Sequence, residues 1–160
     1  QAVRMRALVQ RVIRAEVKSR AADSSEWSVA GAIGPGLCVF VGATHDDTAA
    51  QADKLAGKIW GLRILDDSEC VMNRSLSDVH ETGGPAAVLI VSQFTLYGDT
   101  RKGRRPSWID AARPEHAEPL VDRVADQLRS LGATVATGVF RTEMNVDLTN
   151  DGPVTLMLEV

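Results

Sequence analysis

Six consecutive apolar residues, Ala86-Ala87-Val88-Leu89-Ile90-Val91, follow the turn Gly83-Gly84-Pro85. A run this short, with no polar alternation, is a strand buried on both faces, so the fold has to cover its sheet on two sides. At Ser92 the character changes within one residue to hydrogen-bonding side chains, Ser92, Gln93 and Thr95. A strand that leaves the core in this way sets those groups on a backbone the core has already fixed. Four cations follow, Arg101, Lys102, Arg104 and Arg105, around Gly103. The whole chain carries 18 Lys and Arg against 21 Asp and Glu, a net charge of −3. In an acidic chain such a cluster is either a solvated basic loop or the place where an anion is met.

The C-terminal end alternates with period two. Met144, Val146 and Leu148 face one way, and Asn145, Asp147 and Thr149 the other. After Asn150-Asp151-Gly152-Pro153 the alternation resumes with Val154, Leu156, Leu158 and Val160. The pattern predicts a hairpin with two alternating arms.

Upstream, residues 5–17 read as a strand with a bend, 18–27 as a polar surface loop, and 28–33 as a short strand. Gly34-Pro35-Gly36 turns the chain into a buried strand over 37–41. A helix capped by Thr44 or Asp46, with Asp46 and Asp47 at its positive end, carries Ala52, Leu55, Ala56, Ile59 and Trp60 on one face and ends near Gly61. Residues 66–85 are turn-rich. A second helix begins near Pro114, places Leu120, Val121, Val124, Leu128 and Leu131 on a stripe, and stops at Gly132. Residues 133–140 are expected as a strand. Many strands and two helices give an α+β fold with a mainly antiparallel, barrel-like sheet.

At 160 residues the chain fits one domain, 5–160, with residues 1–4 as an extension or cloning remnant. No apolar stretch is long enough to cross a bilayer and no signal-peptide core opens the chain, so a cytoplasmic, membrane-free protein is expected. Cys38 and Cys70 lack metal-ligand spacing, and Cys38 lies within an apolar run. His45, His80 and His116 have no nucleophile motif beside them. No HExxH, Walker loop or GxSxG elbow is present, so neither a metal nor a cofactor is expected. Gly152-Pro153 stands out, since a proline at the head of a returning strand removes a ladder donor. A plain turn is one reading. The other is a cis peptide whose successive carbonyls point the same way and hold an ammonium group.

Ser92-Gln93-Phe94-Thr95-Leu96 and Asn150-Asp151-Gly152-Pro153-Val154-Thr155 closely resemble the two signature motifs of the D-aminoacyl-tRNA deacylase family, also called D-tyrosyl-tRNA deacylases. The resemblance extends to the opening MRALVQRV, Gly34 to Leu37, Lys58 to Leu65, Met72-Asn73 and Arg105-Pro106-Ser107, covering essentially 5–160. The 18–27 loop and the arginine-rich 101–105 segment depart from the family's usual pattern.

The resemblance implies a cytoplasmic homodimer that hydrolyses the ester between a D-amino acid, or mischarged glycine, and the 3′ adenosine of tRNA. Gly152 and Pro153, followed by Val154 and Thr155, would enter the partner's pocket and read chirality with main-chain atoms. The N–H groups of Phe94 and Met144 would form an oxyanion hole, and Ser92 and Gln93 would shape the adenosine pocket. Thr95 is the family's candidate nucleophile. The alternative gives activation to the RNA's own 2′-hydroxyl, which suits a Thr with no evident base in the sequence. Arg101, Lys102, Arg104 and Arg105 would meet tRNA phosphates. Competing classes are a non-catalytic RNA or DNA 3′-end binder and a small hydrolase of free D-aminoacyl esters or peptides.

Overall fold

The computed structural model describes residues 4–160; residues 1–3, most of the expected extension, lie outside the described residues. Its backbone is organised around β1 (Arg6–Arg20), a 15-residue strand long enough to serve three partners. The N-terminal part pairs antiparallel with β3 (Gly36–Gly42), and the C-terminal part with β2 (Ser28–Ile33). Along its other edge runs β8 (Glu143–Glu159), antiparallel over nearly the whole length. β3 then pairs parallel with β6 (Ala87–Ser92), and β6 parallel with β7 (Thr134–Thr137). The sheet curls until Gly31 of β2 lies against the main chain of Thr137 in β7, which nearly closes a barrel.

The sheet is therefore mixed, not mainly antiparallel as the alternation alone suggested. The chain between β3 and β6 holds helix α1 (Ala49–Gly61), a small β4–β5 ribbon (Leu65–Asp66 with Met72–Arg74) and helix α2 (Leu76–Glu81). Helix α3 (Pro114–Leu131) connects β6 to β7. Helical crossovers of this kind return the chain in the same direction and give parallel neighbours. The described residues thus hold three α-helices, one more than the sequence pattern predicts.

Central strands are covered on both faces, as the run at 86–91 requires. Val39, Val41, Val88 and Ile90 pack under α1 and α3, with Leu55, Ile59, Val124 and Leu128. Cys38, Leu89 and Val91 point the other way, into the barrel with Val12, Ala15 and Val17. Burial there pushes the Cys38 thiol up to about 12. Among the described residues no helix is long and apolar enough to cross a membrane.

Several local expectations change. The cap of α1 is Thr48, whose side chain forms a capping box with Gln51. Thr44 instead donates its hydroxyl to the Asp110 carbonyl, and Asp47 is buried, accepting from the N–H groups of Met5 (3.2 Å) and Thr44 (2.7 Å). β1 continues through Arg20, which pairs with Glu143 and lies 4.8 Å over the Trp27 ring, so only 21–27 form the loop. β7 ends at Thr137; Arg141 takes a left-handed φ of 63° and the chain turns away from the sheet.

The predicted C-terminal hairpin is one strand. Both of its arms pair with β1 and neither pairs with the other. Between Gln10 and Val12 β1 advances two residues while β8 runs from Thr155 back to Asn150. The surplus, 151–154, is extruded as a large bulge, where Pro153 has no ladder bond to lose.

Candidate active site

A cavity of about 570 Å³ opens where β6 ends. Ser92, Gln93 and Phe94 form one wall, Met144 of β8 stands in another, and Ala112, Val121 and Phe140 line the apolar floor. The strand exits cleanly because Gln93 N–H still bonds the Val41 carbonyl at 2.8 Å, after which the backbone tightens into a 3₁₀ turn over Phe94–Tyr97. That turn is anchored by Tyr97, which is 2% exposed and whose hydroxyl donates to the carbonyls of Arg4 and Gly42. Burial drives the Tyr97 hydroxyl far above its usual range, so it remains a donor.

Among the described residues, the N–H groups of Phe94 and Thr95 have no acceptor. They are the orphan donors of a helical start, fixed by the turn, and Phe94 borders the cavity. Met144 faces the cavity from the β1–β8 ladder, in register with Ser19. Thr95 is exposed and lies outside the cavity lining. Its hydroxyl accepts from the Gln93 side-chain amide, and no titratable group bonds it. Preorganised N–H donors without a nearby base suit stabilisation of developing negative charge on an already labile ester.

The second motif lies elsewhere. Gly152 and Pro153 are exposed, their peptide is cis, and neither they nor Val154 and Thr155 line the cavity. The bulge is held from below. Asn150 Nδ2 donates to the carbonyls of Arg11 (2.9 Å) and Val154 (3.0 Å). Thr155 Oγ1 accepts from Gln10 Nε2 and donates to Asn150 Oδ1, each at 3.2 Å. Gly152 has φ 116°, and a Cβ there would stand 2.9 Å from both Arg11 Nη2 and Val154 Cγ2. The two motifs are thus both built, and one chain does not bring them together.

The basic cluster divides. Arg101 grips Asp99 with Nε at 2.9 Å and Nη2 at 2.7 Å, and this guanidinium holds the Asp99 carboxyl far below the usual carboxylate range. Lys102, Arg104 and Arg105 make no ion pair among the described residues. Each histidine has a local structural setting. His45 Nε2 meets the Ile109 carbonyl at 2.6 Å, His116 Nε2 meets the Asp47 carbonyl at 2.8 Å, and His80 packs on Trp60. Among the described residues no three His, Cys, Asp or Glu side chains cluster as metal ligands would.

A family model described as D-Tyr-tRNA(Tyr) deacylase matches residues 8–159. The chain belongs to this family. Three relatives named D-aminoacyl-tRNA deacylase span it almost completely. That of Streptomyces coelicolor (strain ATCC BAA-471 / A3(2) / M145) is 54% identical over 98% of this chain and 100% of its own. That of Heliobacterium modesticaldum (strain ATCC 51547 / Ice1) is 56% identical over 97% of this chain and 96% of its own. That of Mycolicibacterium smegmatis (strain ATCC 700084 / mc(2)155) is 54% identical over 98% and 100%. A solved structure described as c-Myc DNA Unwinding Element Binding Protein has TM-score 0.83 and 34% identity, covering 97% of this chain and 98% of its own. Another, described as a probable eukaryotic D-amino acid tRNA deacylase, has TM-score 0.76 at 18% identity over 98% and 99%, a likeness of fold.

Against the family's two motifs, the sequence reading missed Arg11, Trp108 and Phe140. Arg11 had a signal. It lies in phase with the inward residues Ala7 and Val9 of β1, and a cation at an inward position needs partners. Phe140 had none, because only the end of β7 at Thr137 turns it into the cavity.

Proposed function

We propose that this protein hydrolyses the ester joining a D-amino acid to the 3′ adenosine of tRNA, releasing the free amino acid and tRNA, and that it also clears glycine mischarged onto tRNA. The observation that carries the reading is the pairing of fixed, unpartnered N–H groups at Phe94 and Thr95 with an adjoining cavity, in a chain whose relatives bear that activity as their name. Ser92 and Gln93 hold the terminal adenosine. The N–H groups of Phe94 and, across the cavity, Met144 stabilise the oxyanion when water adds to the ester carbonyl. The RNA's 2′-hydroxyl activates that water, since Thr95 has no base to make it a nucleophile. The reaction belongs in the cytoplasm, where charged tRNA is used.

The bulge acts in trans. Gly152 and Pro153 are exposed and do not line their own chain's cavity, as a device inserted into a partner subunit's pocket requires. In a homodimer, their carbonyls take the α-ammonium group and leave no room for an L side chain. Reading chirality with main-chain atoms tolerates many D side chains.

The test is incubation with matched D- and L-aminoacyl-tRNA, following ester loss. Rapid loss of the D ester with the L ester intact is expected; equal rates end the chirality reading. A substrate ending in 2′-deoxyadenosine should react poorly, whereas undiminished hydrolysis that vanishes in Thr95→Ala would return the attack to Thr95. A second reading, a 3′-end binder without catalysis, is favoured by the structural relative described as binding a DNA unwinding element. Tight binding of single-stranded DNA with no ester loss would select it.

A further inference from the structure

Beside the cavity the protein exposes an apolar ridge that ester hydrolysis does not use. Phe94 is 56% exposed, Trp108 42% and Ile109 75%. The rings of Phe94 and Trp108 meet edge to face, with centroids 5.3 Å apart and planes at 71°. Trp108 is seated against Gly98, where an added Cβ would lie 2.8 Å from its Cζ3. The backbone behind the ridge is tied to the segment following β3, through His45 Nε2 to the Ile109 carbonyl and Thr44 Oγ1 to the Asp110 carbonyl. These are large apolar groups left exposed and already held in place, so little ordering entropy remains to be lost when something covers them.

The basic loop leads straight into this ridge. Asp99 and Ser107 exchange two main-chain hydrogen bonds, 2.9 and 2.8 Å, and so close a hairpin whose tip carries Lys102, Arg104 and Arg105. Trp108 is the next residue. Arg101 is occupied by Asp99, which leaves three cations free of ion pairs among the described residues. Exposed aromatic rings beside a short run of cations are the two components that single-stranded nucleic acid binding requires.

We propose that the Phe94–Trp108–Ile109 ridge stacks the unpaired bases preceding the terminal adenosine of the acceptor end, with Lys102, Arg104 and Arg105 on the phosphates between them. The proposal rests on the aminoacyl-tRNA reading of the cavity. Phe94 and Trp108 also line that cavity, so the ridge offers a continuous path for a strand whose last base enters it. A second copy is the less suitable occupant. A twofold contact here would bring the three free cations of each chain toward those of the other.

The test is a cycle between protein and RNA. An uncharged RNA minihelix with a 3′-CCA end is compared with one abasic at the penultimate position, on the wild-type protein, Trp108→Ala and Trp108→Phe. Removing the base should weaken binding to the wild type roughly 5- to 100-fold. It should cost little further on Trp108→Ala, and Trp108→Phe should restore most of the effect. Equal cost of base removal in the wild type and Trp108→Ala overturns the proposal. So does a change of sedimentation in Trp108→Ala, which would make the ridge a subunit contact. Arg104→Ala with Arg105→Ala leaves the ring packing alone and should flatten the slope of log affinity against log salt by about 1.4; an unchanged slope also overturns it. Hydrolysis of D-aminoacyl-tRNA is measured on the same wild-type protein. Hydrolysis without coupling removes the ridge and keeps the deacylase reading. Coupling without hydrolysis supports the ridge as a nucleic-acid surface and removes the deacylase.

Discussion

Arg11 meets Asp151 twice beneath the bulge of β8, its Nε lying 3.3 Å from the main-chain carbonyl and 3.3 Å from carboxylate Oδ2. Arg11 Nη1 also donates to the Ile64 carbonyl at 2.9 Å and to Asp66 Oδ1 at 3.1 Å, so one buried guanidinium ties β1 to β8 and to the β4 ribbon. Arg11→Met keeps much of the stem and removes every donor. The carboxylates of Asp66 and Asp151 are about half exposed and rehydrate, which leaves the Ile64 carbonyl as the main orphan. A stability loss of about 2 kcal/mol is expected from the denaturant midpoint, together with loss of D-aminoacyl-tRNA hydrolysis. An unchanged midpoint would mean the clamp contributes nothing net.

Gly152 sits above the same guanidinium with φ 116°, a region L side chains rarely adopt. Gly152→Ala adds a methyl 2.9 Å from Arg11 Nη2 and leaves the backbone strained at a cost of about 1–3 kcal/mol. Hydrolysis should fall at least a hundredfold while circular dichroism stays native. A Gly152→Ala protein of normal activity would take the bulge out of the site.

Asp47 gives a pH signature. Its carboxyl is raised above the ordinary 3.8 by burial, although the N–H groups of Thr44 and Met5 favour the charged form. A carboxyl raised in the folded state contributes stability that is present below its unfolded pKa and is lost as pH rises through the folded value. Asp47→Asn does not titrate, so the wild type should gain stability relative to it as pH falls from neutral toward 4. Melting curves of both proteins across that range check the sign, and a widening gap in the opposite direction would contradict it.

Much of this was legible from residue pattern. The run at 86–91 required a sheet covered twice, the stripe from Leu120 to Leu131 located α3, and Ser92 marked the strand end that borders the cavity. Ser75-Leu76-Ser77-Asp78 is itself a capping signature, but the turn residues on either side mask a helix of only six residues. The parallel pairing of β3 with β6 had its signal elsewhere, in the helix α1 that lies between the two buried strands and makes their connection a crossover. The hairpin error had another cause. Period-two alternation states which face a residue takes, not which strand it pairs with, and both arms of β8 found β1. Pairing across some 140 residues of sequence leaves no local trace.

The histidines should be dispensable for chemistry. His45 and His116 are spent on main-chain carbonyls and His80 on Trp60, so none is positioned as a base. His45→Ala, His80→Ala and His116→Ala should each keep activity within about tenfold, and treatment with EDTA should leave the rate unchanged. A hundredfold loss in any variant, or a rate restored by zinc or manganese, would expose a base or metal site that this geometry does not contain.

The unpartnered N–H of Phe94 is the group most directly tied to rate, and proline tests it. Phe94 opens the 3₁₀ turn, where a proline fits because its missing N–H is one the turn does not use. Gln93 before it, at φ −148° and ψ 82°, lies outside the α region that a following proline disfavours. Phe94→Pro therefore deletes the donor and keeps the turn, but it also deletes the ring. Phe94→Ala deletes the ring alone and serves as the reference. Loss of one oxyanion donor costs roughly 100- to 1,000-fold in kcat. Phe94→Pro should accordingly fall about two orders of magnitude below Phe94→Ala in kcat on D-aminoacyl-tRNA, with both proteins melting within a few degrees of each other. Equal kcat in the two variants would remove the Phe94 N–H from the reaction and move the oxyanion to Thr95 N–H, which Thr95→Pro probes in the same way.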